Sequence, residues 1–251
     1  MARDESPWFY TPRPAPEASF DVLCLPSSGG SASSYRAWGE VLAPVGEVVA
    51  LQLPGRGGRW AEPAVASIAA LVEQLCPLLA HRVRRPLVIF GHSLGAVLAF
   101  ELAHALRRHE GPPLALLAVS GRASPQCVTA APDPELPQGL MVEHLRRLGG
   151  TSELILSDPQ ILDLVLPPLR CDYRLLRDWR HVPAAPLAVP VVAYAGVDDP
   201  AAPAAAVRAW AEQTSAGFDF VALPGGHFYR EEGLLEPARE LRRRLAVLAR
   251  P

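Results

Sequence analysis

The pentapeptide Gly91-His92-Ser93-Leu94-Gly95 directly follows the apolar run Leu87 to Phe90 and opens the helical pattern Leu94 to Arg108. A strand that turns into a helix through a serine between two glycines is the context of a nucleophile elbow, and it leaves few folds open. Such a turn holds Ser93 in a strained backbone conformation with its hydroxyl above the sheet edge. A side chain at position 91 or 95 would collide with the neighbouring strand or helix. Chance alone produces the pentapeptide in roughly one chain in ten of this length, so the flanking strand and helix carry the weight.

The rest of the chain supplies the sheet that an elbow needs. Phe20 to Leu25, Val48 to Leu53, Leu87 to Phe90, Leu114 to Val119, Val191 to Ala195 and Phe218 to Leu223 read as strands. Several are nearly continuous in hydrophobicity, as in a sheet covered on both faces. Helical patterns lie between them at Ser67 to Val83, Leu94 to Arg108 and Glu236 to Ala249, and this alternation predicts an α/β fold with a mostly parallel sheet. It fails between Arg122 and Pro190, where Leu140 to Leu148 and Ile161 to Trp179 are helical. Residues 122–189 therefore read as a helical lid inserted over the C-terminal edge of the sheet, within a single domain spanning 1–251.

A serine at an elbow needs a base and an acid, which this arrangement supplies in the order Ser, Asp/Glu, His from loops after later strands. Tyr194 to Pro200 closes one late strand and Pro224 to His227 the last, so both loops leave the sheet at the edge of Ser93. His227 is the expected base. His81, His104, His109 and His144 lie on helical patterns among arginines, His92 is inside the elbow, and His181 ends the lid. Asp198 and Asp199 are adjacent and only one can face His227; Asp199 is favoured because Pro200 restricts it to an extended form at the loop tip. Two backbone N–H groups should form an oxyanion hole, those of Leu94 and Ser28, with Gly29-Gly30 allowing close approach of the backbone.

Composition removes competing chemistries. The 251 residues contain no lysine, which excludes a Schiff base, a Walker lysine and a Ser/Lys dyad, and no asparagine, which excludes a Cys-His-Asn triad. A net charge of −2 gives no argument for nucleic-acid binding. Cys24, Cys76, Cys127 and Cys171 are scattered without a CxxC, and the N-terminus has no basic segment followed by an apolar stretch, so the cytoplasm is the expected compartment. Glu101 and His104 have the spacing of a di-metal helix pair, but no second copy exists and no metal is expected. Pro54 to Arg59 reads as a surface loop. Arg170, Arg174, Arg177 and Arg180 fall near one face of a lid helix, either solvated or turned towards an acidic partner.

Several segments together resemble the type II thioesterases that accompany polyketide and nonribosomal peptide synthases. They are the Pro-x-x-Gly-Gly loop with Ser31 to Tyr35 behind it, Gln52 to Arg56, Gly91 to Ala96, Leu145 to Gly150, Leu166 to Leu176, and Pro224 to Tyr229. The resemblance runs nearly end to end. It implies an α/β-hydrolase fold and hydrolysis of acyl groups held as thioesters on the phosphopantetheine arm of an acyl or peptidyl carrier protein. It implies no metal or diffusible cofactor, and the roles argued above for Ser93, Asp199 and His227. A monomer is expected. The chain departs from the family at Ser27-Ser28, where a histidine or aromatic residue followed by alanine is usual, which bears on the lining of the acyl pocket. Rival readings are a product-releasing thioesterase or cyclase, an oxygen-ester hydrolase, and a hydrolase-fold binding module with a vestigial triad.

Overall fold

The computed structural model describes residues 6–108, 111–127, 130–230 and 234–249; His109, positions 128–129 of the expected insertion and the first five residues lie outside them. Seven strands form one sheet: β1 (Phe9–Tyr10), β2 (Phe20–Leu25), β3 (Gly46–Leu51), β4 (Leu87–His92), β5 (Leu114–Ser120), β6 (Val191–Gly196) and β7 (Phe218–Leu223). Their order is β1-β3-β2-β4-β5-β6-β7. Only the two-residue β1 is antiparallel, pairing Phe9 with Leu51. The six expected strands are all present. β1 was not anticipated, because two residues carry no periodicity.

Side-chain alternation sorts the strands onto two cores. Leu23, Val49, Ile89, Val119 and Ala193 point to the face covered by α2 (Ile68–Arg82) and α3 (Leu94–Arg108), while Val22, Val48, Phe90, Ala118 and Val192 point to the face covered by α1 (Trp38–Leu42) and α8 (Leu235–Leu248). β2 to β6 are buried along nearly their whole length, as covering on both faces requires. β7 is the sheet edge and is half-exposed, so the expectation of two-sided burial does not extend to it.

Between β5 and β6 the chain forms α4 (Gln138–Leu148), α5 (Glu153–Leu156) and α6 (Pro159–Asp178), and α7 (Ala204–Arg208) follows β6. Asp158 caps α6, accepting from the amides of Gln160 and Ile161. Met141, Leu145, Leu156, Leu162, Leu166, Leu169 and Tyr173 pack into a small core of their own, separate from the sheet. This architecture, a mostly parallel sheet with a helix-rich excursion after β5, is that of an α/β-hydrolase. Pairing registers bring Leu25 beside Gly91, His92 beside Ser120, Ser120 beside Tyr194 and Gly196 beside Leu223, so the strands end at a common edge. The loops after β2, β4, β5, β6 and β7 all open there.

Candidate active site

Ser93 has φ 55°, a left-handed value for a non-glycine residue, and its amide is tied to Ser120 O at 2.8 Å. Only glycine fits on either side. A Cβ on Gly91 would lie 2.0 Å from Gly95 O, and one on Gly95 2.1 Å from Leu25 O. The elbow is thus wedged between the first turn of α3 and the end of β2, as its glycines predict.

The loops after β6 and β7 meet through another pair of glycines, since a Cβ on Gly196 would strike Gly226 O at 2.1 Å. Asp198 N donates to Gly225 O at 2.9 Å, which fastens one loop to the other. His227 Nδ1 then donates to Asp199 Oδ2 at 2.8 Å, with both side chains buried. A carboxylate can only accept, so Nδ1 carries a proton, and in the neutral ring Nε2 then keeps its lone pair. The second oxygen of Asp199 accepts from Ala201 N at 2.9 Å. Asp198 is exposed.

Ser93 and His227 line one cavity of about 400 Å³ together with Ser27, Ser28, Leu169 and Tyr173. The α3 N-terminus supplies the Leu94 amide at the same edge, where the first N–H groups of a helix have no intrahelical acceptor. Ser28 Oγ is buried without a hydrogen-bond partner among the described residues. Ser27 and Ser28 line both this cavity and a neighbouring one of about 390 Å³, so the two hydroxyl-bearing positions do belong to the pocket wall.

Three parts of the site were not anticipated. His144, which the sequence places only on a helical pattern among arginines, lines the cavity and shares a 3.1 Å hydrogen bond with Tyr173 OH. Burial, with Arg147 and His227 adding to it, lowers its pKa and favours the neutral ring. The helical face that buries Met141 and Leu145 also carries His144, and that spacing was the available signal.

His92 is fully buried against His227, ring centroids 5.0 Å apart, and desolvation first and His227 second push its pKa well below the ordinary value. Its Nδ1 shares a 2.9 Å hydrogen bond with Ser120 Oγ, which in turn bonds Tyr229 OH at 2.6 Å. Tyr229 has φ 67°, so this chain of hydrogen bonds holds a strained residue two positions beyond His227.

The Pro54 to Arg59 segment is a correction: read as a surface loop, it buries both of its arginines. Arg56 forms a two-pronged pair with Asp172 of α6, at 2.5 and 2.7 Å, and its Nη1 also donates to Gly30 O. Asp172 Oδ2 accepts from Gly29 N at 2.8 Å. Arg59 bonds Glu62 and Gln52 O and stacks on Trp8. Asp172 therefore faces the loop of Ser28, whereas the arginines on α6 find other partners. Arg174 pairs with Glu135, Arg177 with Asp178, and Arg170 donates to the carbonyls of Pro134 and Leu136. Glu101 accepts from the Trp179 indole, and no metal-ligating group of three or more His, Cys, Asp or Glu occurs among the described residues.

Comparison with known proteins bears on the family of the chain. A family model described as a thioesterase domain matches residues 20–244. Thioesterase PikA5 of Streptomyces venezuelae is 39% identical over 97% of this chain and 87% of its own length. The gramicidin S biosynthesis protein GrsT of Aneurinibacillus migulanus is 31% identical over 97% of this chain and 96% of its own length. Among solved structures, the type II thioesterase BorB from the borrelidin biosynthetic cluster superposes with a TM-score of 0.86 at 38% identity, covering 97% of this chain and 98% of that one. With the family model covering most of the sequence and relatives aligned nearly end to end, the chain belongs to the thioesterase family.

Proposed function

We propose that the protein is a type II thioesterase that hydrolyses acyl groups from the phosphopantetheine arms of carrier proteins in a polyketide or nonribosomal peptide synthase system, in an editing role. The observation that carries this reading is the Asp199–His227 pair at 2.8 Å opening onto the same cavity as the strained Ser93, in a thioesterase-family chain. Proteins that match it over nearly their whole length are named for gramicidin S biosynthesis and for the borrelidin biosynthetic cluster, and a solved structure 26% identical over 96% of this chain is described as a type II thioesterase from an NRPS/PKS pathway.

In this mechanism Nε2 of His227 takes the Ser93 proton as Oγ attacks the thioester carbonyl. The oxyanion is held by the Ser28 and Leu94 amides. The thiol of the arm leaves with the proton from His227. Water, deprotonated by the same nitrogen, then attacks the acyl-serine, and its collapse releases the acid and returns the proton to Ser93. Asp199 fixes the Nδ1–H tautomer and stabilises the imidazolium. The helices α4 to α6 act as the lid, contributing Leu145, Leu169 and Tyr173 to the cavity wall. No step calls for a cofactor or a metal. The reading keeps the enzyme monomeric and in the cytoplasm; among the described residues no helix is long and apolar enough to cross a membrane.

The test is a panel of carrier-protein thioesters of varied acyl length and branching, followed by intact-protein mass spectrometry. Loss of acyl mass from the carrier is expected, fastest for a subset of chains. A carrier that keeps every acyl group while oxygen esters are cleaved would move the assignment to an ester hydrolase.

A further inference from the structure

The loop after β5 begins Gly121-Arg122, and its backbone is fixed from two directions. Gly121 N donates to Tyr194 O at 3.0 Å, and the Trp210 indole donates to Arg122 O at 2.8 Å. The half-buried side chain of Arg122 lines two cavities at once. One is the cavity of Ser93 and His227. The other, of about 660 Å³, lies beyond it and is also lined by Arg177 and Arg180.

Among the described residues no aspartate or glutamate lines either cavity. The guanidinium of Arg122 has no hydrogen-bond or ion-pair partner there, although burial lowers its pKa. Arg180 donates only to the carbonyls of Arg177 and Trp179, and Arg177 is held by the exposed Asp178. The neighbouring cavity that shares Ser27, Ser28 and Leu169 with the Ser93 cavity is lined by no charged side chain among the described residues. Among the described residues, the cavities that Arg122 lines therefore carry cationic side chains, and the neighbouring cavity carries no charged one.

Partial burial of an unpaired cation is unfavourable until an anion completes it, and the planar fork of a guanidinium matches carboxylate and phosphate alike. We propose that Arg122 is an anion receptor in the substrate path, taking either the phosphate of the pantetheine arm or a carboxylate on the acyl group and so setting the direction in which the thioester lies across Ser93. This rests on the thioesterase reading above. An uncharged acyl chain would then occupy the neighbouring cavity lined by Ile155, Val165 and Leu169.

The test compares three small thioesters with wild type, Arg122→Gln and Arg122→Lys: propionyl-pantetheine, propionyl-4′-phosphopantetheine and succinyl-pantetheine. The wild type should prefer one anionic compound over the neutral one in kcat/KM. Arg122→Gln should cut that preference by about tenfold, the scale of one charge-assisted hydrogen bond, and Arg122→Lys should keep part of it. Loss confined to the phosphorylated compound assigns the arm, and loss confined to the succinyl compound assigns the acyl carboxylate. A wild type without such a preference, or unaltered preferences in both variants, would overturn the proposal, because a structural role would slow all three substrates together. Should the wild type hydrolyse none of them, the thioesterase reading falls. Calorimetric titration of the intact protein with the same compounds then still reads the anion preference.

Discussion

Arg56 and Asp172 lie 116 residues apart in sequence and form a buried, two-pronged ion pair that joins the loop after β3 to the middle of α6. The carboxylate of that pair also holds Gly29 N, next to the Ser28 amide of the proposed oxyanion hole. A negative charge so close to a developing oxyanion would oppose catalysis unless it were neutralised, and Arg56 neutralises it.

Arg56→Gln leaves the Asp172 carboxylate buried without its cation, so unfolding by urea should show a loss of about 3–5 kcal/mol, the range for one partner removed from a buried pair. Adding Asp172→Asn should recover part of that loss, since no unpaired charge remains. A single variant that loses less than about 1 kcal/mol would put the pair in the class of exposed salt bridges and contradict its burial.

The two adjacent aspartates separate cleanly. Asp199→Ala removes the acceptor for His227 Nδ1, whereas Asp198 is exposed and contributes its backbone amide to Gly225 O. The first substitution should lower kcat by orders of magnitude with a smaller change in KM, because the carboxylate acts on an imidazolium that exists only during reaction. Asp198→Ala should stay within a few-fold of wild type. Steady-state kinetics on one acyl thioester checks both, and the reverse ranking would reassign the acid.

Acid should destabilise the fold through its buried histidines. His104 is held neutral, its pKa pushed down to about 4 by burial first and by Arg107, Arg108 and His181 after it. The unfolded chain binds that proton near pH 6.5, so the stabilisation is complete above that value and is lost as the pH falls towards about 4. The melting temperature should therefore drop between pH 6.5 and 4, and His104→Gln should flatten the drop. Parallel curves for the two proteins would show that other groups account for it.

What the sequence reveals follows the range of the forces involved. Strands and elbow are local: apolar runs mark β2 to β7, and the glycines at 91 and 95 are required by backbone a few residues or one strand away. Asp199 and His227 could be found because the order of loops along a parallel sheet is itself a constraint. Arg56 could not, since nothing near Pro54 to Arg59 announces a carboxylate 116 residues away, and a glycine-rich arginine loop looks solvated until its partner is placed. The His92–Ser120–Tyr229 chain was hidden for the same reason, as it takes its meaning from contacts between β4, β5 and the loop after β7, whereas His144 left a signal in its spacing from Met141 and Leu145. The arginines of α6 reveal the converse, because a charged helical face gives no sign of which residues it meets.

The most direct test of the account is to trap the acyl-enzyme. Wild-type protein mixed with an acyl-carrier-protein thioester, quenched with acid within milliseconds and digested, should yield a peptide containing Ser93 heavier by the acyl group, and Ser93→Ala should yield none. The variant should fold normally, because Ser93 is only half-buried at the elbow, and its turnover should fall by several orders of magnitude. An acyl group found on another residue, or turnover by Ser93→Ala within about tenfold of wild type, would contradict the assignment of Ser93 as the nucleophile.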